Sequence, residues 1–353
     1  MKLRSREAGV SLIELLVSLA IGAVLIFGAM KAYVDSRNAY AINESIAHMQ
    51  DTARYAISVM EPDLRMANYW GLLKGAEPIT GQAAQSDAQS SLGGNAAKTC
   101  GKNFALDLES NIEGSNDMYA AGCEAKNRHA MPNADTVTIR RASTALSAAD
   151  TASLRICSTR TVGALVVNLS DSATCASASA QVNDLLVHLY YIDQDADERN
   201  GVPSLRRKLL NATPDFEDAE VVANVEDMQI QYGVDTSGGV GPESGAATRY
   251  LDAGPTLTAL LKNSTSPAQI VSVRLWLLIR ADAPEVGFTD TRVYEYGNRR
   301  AANGKTADLA SGASPGLPAY QPSLSADDSF ASAKHYRRVL VSRTFQVRNA
   351  LGT

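Results

Sequence analysis

The feature that most constrains this chain is a long apolar run close to its N-terminus. A short basic start, Met1–Gly9, precedes a run from Val10 to Met30 in which Glu14 is the one charged residue. As a helix rising ~1.5 Å per residue, this run is about 30 Å long, which is the thickness of the hydrocarbon core of a bilayer. Because basic flanks stay in the cytoplasm, the sequence predicts one membrane span with the following residues outside the cytoplasm.

The helical pattern continues beyond the apolar run. Small and apolar residues recur at steps of three and four, the pattern of a helix with one buried face, at Ala39, Ile42, Ile46, Met49, Ala53, Ala56 and Met60. Pro62 and Asn68 mark the predicted end. A secretory signal would instead stop at a small-residue cleavage site, which is not apparent here. We therefore expect one long helix, with residues 10–30 in the membrane and residues 31–66 covered along one face by a globular domain.

Glu14 is out of place in a plain membrane anchor, because a carboxylate in a bilayer costs on the order of 2.5–3.5 kcal/mol. A position near the interface, where the side chain reaches the headgroups, would lower that cost. The functional alternative is that Glu14 pairs with a cation, and cleavage after Gly9 would create one at the amino group of Val10. On this hypothesis the carboxylate neutralises the amino terminus of a neighbouring chain and sets the axial offset between subunits.

The residues around Gly9 also match a known processing motif. From Gly9 to Leu15 they read Gly-Val-Ser-Leu-Ile-Glu-Leu, which resembles the class III leader of type IV pilins and of type II secretion pseudopilins. In that family a prepilin peptidase cuts after the glycine and methylates the new N-terminal residue. The resemblance implies a leader over residues 1–9, N-methylation of Val10 and an assembly role for Glu14. Val10 stands where the family usually has phenylalanine.

Four cysteines lie in the middle of the chain, at Cys100, Cys123, Cys157 and Cys175. An even number suits disulfides in an oxidising compartment. The spacing Cys-x-x-Cys does not occur, which argues against a zinc ribbon or a thioredoxin-type site. Three pairings are possible, and we prefer the one between sequence neighbours because it closes the shortest loops.

Beyond residue 67 the sequence predicts a β-rich domain with long loops. Apolar, β-branched and aromatic residues indicate strands at Thr136–Arg140, Gly163–Leu169, Leu185–Ile192, Leu205–Leu209, Met228–Val234, Ile270–Ile279 and Arg338–Val347. The third and fourth of these should form a hairpin. Gly, Ser, Ala and Pro residues mark loops at 71–100, 235–255 and 301–328. Strands that follow one long helix predict an α+β, pilin-like fold in which the helix packs on an antiparallel sheet.

Segments of the second half narrow the resemblance, at Tyr190–Ile192, Pro203–Arg207, Val225–Asp235, Val271–Leu277 and Arg343–Asn349. Together they resemble the PilW family of minor pilins, which is similar to the J-type minor pseudopilins. The resemblance implies a role in starting type IV pilus assembly, at the pilus tip, with other minor pilins, the major pilin and a tip adhesin of the PilY1 type. It places the chain in the inner membrane before assembly, with residues 67–353 in the periplasm, and afterwards in the pilus at the cell surface.

Composition and motifs argue against two other classes of function. A net charge of -5 is unfavourable for general nucleic-acid binding. The four histidines are scattered along the chain, at His48, His129, His188 and His335, and form no catalytic constellation with a nucleophile. His188, within a predicted strand, is interpreted as a packed or surface residue. We therefore expect no enzymatic activity.

One acidic cluster resembles the start of a calcium loop. Asp193, Asp195 and Asp197 follow the Asp-x-Asp-x-Asp pattern, and carboxylates suit calcium. However, Glu198 occupies the sixth position, where glycine is expected, and Ser204 the twelfth, where a bidentate glutamate is expected. We therefore interpret the cluster as an acidic hairpin turn and expect no cofactor. A calcium site that does not follow this loop pattern is the alternative.

Three hypotheses for the function follow from the sequence. The first is a minor pilin of a type IV pilus. The second is a minor pseudopilin of a type II secretion system, which the same leader would serve. The third is a membrane-tethered, calcium-dependent binding domain that does not polymerise.

Overall fold

A computed structural model describes residues 11–147, 153–237, 244–262, 268–285, 287–300, 317–322 and 333–350. The chain divides into two compact units, residues 1–48 and residues 49–353. Residues 1–9 of the predicted leader, the cleavage position Gly9 and the methylation position Val10 lie outside the described residues.

The predicted long helix is present as α1, Leu12–Met66. Its apolar stretch is long and hydrophobic enough to cross a membrane, and none of that stretch is buried. The helix continues past Pro62 and ends before Asn68, whose φ of 63° places it in the left-handed region that often terminates helices. The predicted end between these two residues is thus confirmed.

The predicted apolar stripe is buried only in its second part. Met49, Ala53, Ala56 and Met60 are buried, together with Asp63 and Leu64. Ala39, in contrast, is exposed, while Ile42 and Ile46 are partly buried. The burial of α1 by its own chain therefore begins at Met49.

Among the described residues, eight strands form a first sheet. They are β1 (Ile79–Thr80), β2 (Ile112–Ser115), β3 (Thr136–Leu146), β4 (Arg155–Ser158), β5 (Gly163–Val166), β6 (Gln181–Asp193), β7 (Ser204–Leu210) and β8 (Phe216–Ala223). The strand order is β1-β5-β4-β6-β3-β2. Strand β7 pairs with β6 on the side opposite β3, and β8 pairs with β7. Strand β6 is long enough to pair with β4 through residues 181–184 and with β7 through residues 188–193. The antiparallel pairing of β6 with β7 confirms the predicted hairpin.

The two faces of the first sheet bury different parts of the chain. Cross-strand neighbours Ile139 and His188 lie on the face that meets α1. Arg140 and Val187 lie on the opposite face. There Val187 packs in a core formed with the segment Trp70–Leu108. This sheet is consequently covered on both sides, which explains the continuous apolar character of β6.

A second, four-stranded antiparallel sheet is built from β9 (Val225–Asp235), β10 (Arg249–Leu251), β11 (Gln269–Arg280) and β12 (Arg338–Gln346), in the order β10-β9-β11-β12 within the described part of the chain. One face of β11 is fully buried through Val273, Leu275, Leu277 and Ile279. On the other face, Leu278 packs against Tyr294 and Tyr296. A short helix, α2 (Pro255–Leu261), follows β10.

The α+β fold class is confirmed, with two differences from the expectation. The strands form two sheets instead of one, and β1 pairs with β5 in parallel. Strands also occur within the predicted loops, β1 in 71–100 and β10 in 235–255. The cysteines pair as Cys100–Cys123 and Cys157–Cys175, which is the pairing preferred from the sequence.

Candidate assembly site

The first turn of α1 holds the carboxylate singled out from the sequence. The backbone N–H groups of Glu14 and Leu15 both donate to the carbonyl of Ser11, each at 3.1 Å, so Ser11 starts the helix and Glu14 lies in its first turn. A negative charge there is stabilised by the unpaired N–H groups and by the helix dipole. The side chain of Glu14 is exposed, and none of the residues that the structure describes forms an ion pair with it.

Large apolar side chains surround the first part of the helix on all sides. More than half of the residue surface is exposed at each of Leu12, Ile13, Leu15, Leu16, Val17, Leu19, Ile21, Val24, Leu25, Ile26, Phe27 and Met30. A helix that is apolar all round needs lipid or other helices around it. A Cβ atom added at Gly22 or Gly28 would have no other group within 4 Å. Small residues at such open positions allow another helix to approach closely.

A buried carboxylate, Asp63, joins the second part of α1 to the first sheet. Its side chain is 4% exposed. His188 Nδ1 and the Tyr190 hydroxyl both lie 2.6 Å from Asp63 Oδ2, and Arg141 Nη2 donates to Asp63 Oδ1 at 2.8 Å. Both oxygens are therefore satisfied by side chains of β3 and β6. Three polar groups of the sheet in turn depend on this one carboxylate.

The surroundings keep Asp63 ionised. Burial by itself would raise its pKa, but the hydrogen bond and charge of His188, the hydroxyl of Tyr190 and the charge of Arg141 outweigh burial and hold the pKa well below its usual range. Burial and the adjacent carboxylate raise the pKa of Tyr190, which keeps its hydroxyl a donor. Asp63 is thus ionised at neutral pH. His188 packs against Asp63, consistent with its interpretation as a packed residue.

Sequence reasoning did not find Asp63. Along the helix it looks like another polar residue next to Pro62, and its partners lie 78 residues away at Arg141 and 125 residues away at His188. The one signal in the sequence was that Asp63 lies next to the apolar stripe of α1 that ends at Met60.

The acidic loop after β6 engages groups of the protein itself. Asp195 accepts a hydrogen bond from the backbone of Gly201 at 2.6 Å and lies 2.6 Å from His129 Nδ1. The hydrogen bond from Gly201 and the interactions with His129 overcome burial and lower the pKa of Asp195. This carboxylate is consequently part of the turn that connects β6 to β7.

The other two aspartates of that loop point to different partners. Asp193 is buried and accepts the backbone N–H of Asp195 at 3.0 Å. Asp197 pairs with Lys126 and, at 3.0 Å, with Arg206. Within the described part of the chain, no group of three His, Cys, Asp or Glu side chains is arranged to hold a metal ion. The calcium hypothesis stays a prediction that this geometry does not strengthen.

Comparison with known proteins shows which protein families the chain resembles. The family model of type IV pilus-assembly protein W, PilW, matches residues 189–349, which include all of the second sheet. The prokaryotic N-terminal methylation motif matches residues 4–30, which include Gly9, Val10 and Glu14. A solved type IV-like pilin from Thermus thermophilus is similar at 13% identity, over 63% of this chain and 81% of that chain, with a TM-score of 0.26. No curated protein is significantly similar to the chain.

The methylation motif and the exposed apolar helix fit a membrane-anchored, pilin-like subunit. Within that class, the second half of the chain, residues 189–349, is similar to the type IV pilus-assembly protein W family. The individual roles of Gly9, Val10 and Glu14 remain predictions.

Proposed function

We propose that this protein is a minor pilin that takes part in initiating type IV pilus assembly, at the pilus tip with other minor pilins and a tip adhesin. The observation that carries the proposal is the exposed apolar stretch of α1 with Glu14 in its first turn. The same helix continues into residues that the globular domain holds through Asp63.

Assembly on this proposal exchanges lipid for protein around the apolar segment. Once outside the bilayer, the side chains from Leu12 to Met30 would face water unless helices of neighbouring subunits covered them. In that apolar bundle an unpaired Glu14 would be costly, whereas a pair with the amino terminus of the next chain offsets the cost. The prepilin peptidase supplies that amino terminus by cutting before Val10.

A position at the tip is supported by the size of the domain. Residues 49–353 form one compact unit, and the part of it that the structure describes contains two sheets. A subunit at the end of a fibre has no neighbour beyond it, so a large domain there meets no steric conflict. Before assembly the domain would lie in the periplasm, with α1 in the inner membrane.

The test replaces Glu14 in cells whose own copy of the gene is deleted. We expect Glu14→Ala and Glu14→Gln to remove most surface pili, counted by electron microscopy and by shearing, while the chain still accumulates in the membrane. Glu44→Ala is the matched control, because Glu44 is an exposed glutamate of the same helix outside the apolar stretch. The purified mature chain should begin at N-methylated Val10 by mass spectrometry. Normal piliation in both Glu14 variants would overturn the proposal.

The secretion alternative is tested by the same variants. A minor pseudopilin would lose type II secretion of its substrates and leave piliation unchanged. The match of the second half to the pilus-assembly family favours the pilus. For the third hypothesis, calorimetric titration of the full-length chain with calcium is decisive, since heat of binding lost in Asp193→Asn and Asp195→Asn would support a calcium site.

A further inference from the structure

One face of the second sheet carries Arg274, an arginine whose guanidinium has no hydrogen-bonded or charged partner among the described residues. Arg274 is half-buried in β11, and its neighbours across the sheet are Gln231 on β9 and Thr344 on β12. Its guanidinium carbon lies 3.9 Å from the centroid of the Tyr250 ring and 5.7 Å from that of Trp276. Among the described residues, no side chain or carbonyl accepts a hydrogen bond from this guanidinium, and no carboxylate pairs with it.

The orientation of the guanidinium is held by the rings. Tyr250 lies opposite Gly233 on β9, where a Cβ would be 2.9 Å from the Tyr250 ring and 2.2 Å from Ser272 Oγ. Glycine there leaves room for Tyr250 to lie across the strand. The Ser272 hydroxyl then donates to the Tyr250 hydroxyl at 3.2 Å. Two rings, one of them fixed by a hydrogen bond, thus hold Arg274 in place while its N–H donors stay open.

Hydroxyl groups extend this surface along the edge strand. Ser342 pairs with Trp276 and Thr344 with Arg274 across the sheet, so all four side chains lie on one face, and both hydroxyl residues are exposed. At the other end of the strands Leu278 is covered by Tyr294 and Tyr296, which bounds the surface. We call the five residues Arg274, Tyr250, Trp276, Ser342 and Thr344 the Arg274 platform.

We propose that the Arg274 platform binds an acidic saccharide, a pyranose that carries a carboxylate. The carboxylate would accept paired hydrogen bonds from Arg274, an arrangement that the planar guanidinium favours. The apolar C–H face of the sugar would lie on an aromatic ring, and its hydroxyl groups would bond Ser342 and Thr344. Asp252, the nearby acid, is engaged by Gln231 Nε2 at 3.1 Å and forms no ion pair with Arg274.

The small size and polarity of the platform favour a saccharide over a protein partner. A stable protein interface buries about 800 Å² on each side around an apolar centre. None of the large, highly exposed apolar side chains of the described residues lies on β9, β10, β11 or β12. A single open guanidinium with aromatic and hydroxyl neighbours instead resembles the few convergent polar groups of a small-molecule site.

The experiment titrates the full-length chain in detergent micelles with sodium D-glucuronate and with D-glucose, a matched neutral sugar. Tryptophan fluorescence reports the platform, because the chain has two tryptophans and Trp70 is fully buried. Calorimetry gives the affinity. We expect glucuronate to bind at least about tenfold more tightly than glucose, as a charge-assisted pair predicts.

Variants of two arginines on opposite faces of the sheet make the test specific. Arg274→Gln should abolish glucuronate binding, and Arg274→Lys should weaken it severalfold because an ammonium offers no planar pair of donors. Arg343→Gln is the matched control: Arg343 is exposed on β12 but lies opposite Leu275, on the other face. Near-ultraviolet circular dichroism checks that each variant is folded.

Three outcomes would overturn the proposal. The first is no binding of glucuronate by the folded wild-type chain. The second is equal loss in Arg274→Gln and Arg343→Gln, which would mean attraction by net charge alone. The third is hexaglutamate binding as tightly as glucuronate with the same dependence on Arg274, which would identify an acidic peptide as the ligand.

Discussion

The two parts of α1 share one backbone geometry and differ in what surrounds their side chains. From Leu12 to Met30 the large apolar side chains are exposed, and Glu14 has no partner among the described residues. From Met49 to Met66 one stripe is buried, and Asp63 has three side-chain partners. The second part is stabilised by its own chain, whereas the first needs lipid or other helices. Substitutions should therefore affect stability in one part and assembly in the other.

The largest effect on stability should come from Asp63→Ala. Removing one partner of a buried charged network leaves Arg141 and His188 without their acceptor and costs about 3–5 kcal/mol. Denaturant unfolding of the full-length chain in micelles, followed through the fluorescence of buried Trp70, measures this loss.

The matched control for that variant is Asp51→Ala on the same helix. Asp51 is exposed and lies 3.6 Å from exposed Arg54, a pair worth about 0–1 kcal/mol. If the two variants were equally stable, Asp63 would not anchor the helix.

A smaller effect on stability should distinguish the two parts of the helix when one alanine in each is replaced by leucine. Ala56 is fully buried, so Ala56→Leu should destabilise the domain by about 1–3 kcal/mol through overpacking. Ala39 is exposed, and Ala39→Leu should change the free energy of unfolding by less than about 0.5 kcal/mol. The same unfolding measurement compares them, and a cost for Ala39→Leu equal to that of Ala56→Leu would contradict the boundary at Met49.

The smallest effect concerns acid stability. The pKa of Asp63 is lower in the folded chain than its ordinary value of 3.8, so the ionised form stabilises the fold above that value and the stabilisation is lost as the pH falls further. The loss amounts to at most about 1.4 kcal/mol per pH unit for one group. Asp63→Asn should therefore show a shallower fall in stability than the wild type below about pH 4. Identical slopes in unfolding series at stepped pH would refute the assignment.

Much of the fold could be predicted because its longest elements carry strong patterns. The long helix and the strands around Leu185–Ile192, Met228–Val234 and Ile270–Ile279 are present where their periodicity placed them. The short strands β1 and β10 were missed because two or three residues show no alternation. Strand β8 was missed because Phe216–Ala223 is rich in acidic residues and only partly buried.

The division into two sheets could not be predicted from these patterns. Alternation tells which residues share a face, but it does not tell which strands pair. The pairing of β9 with β11 and of β11 with β12 joins strands that do not follow each other closely in the chain, and it is settled by packing over the whole domain.

For the sites, the sequence by itself was enough to predict the chemistry of the N-terminus. A charge in an apolar run, a basic flank and a glycine before Val10 are local features, and the N-terminal methylation motif matches residues 4–30. Only the tertiary structure decided that Asp63 anchors the helix and that Arg274 lies against the ring of Tyr250. Asp63 meets Arg141 and His188, and Arg274 meets Tyr250, across stretches of chain that no local sequence pattern spans.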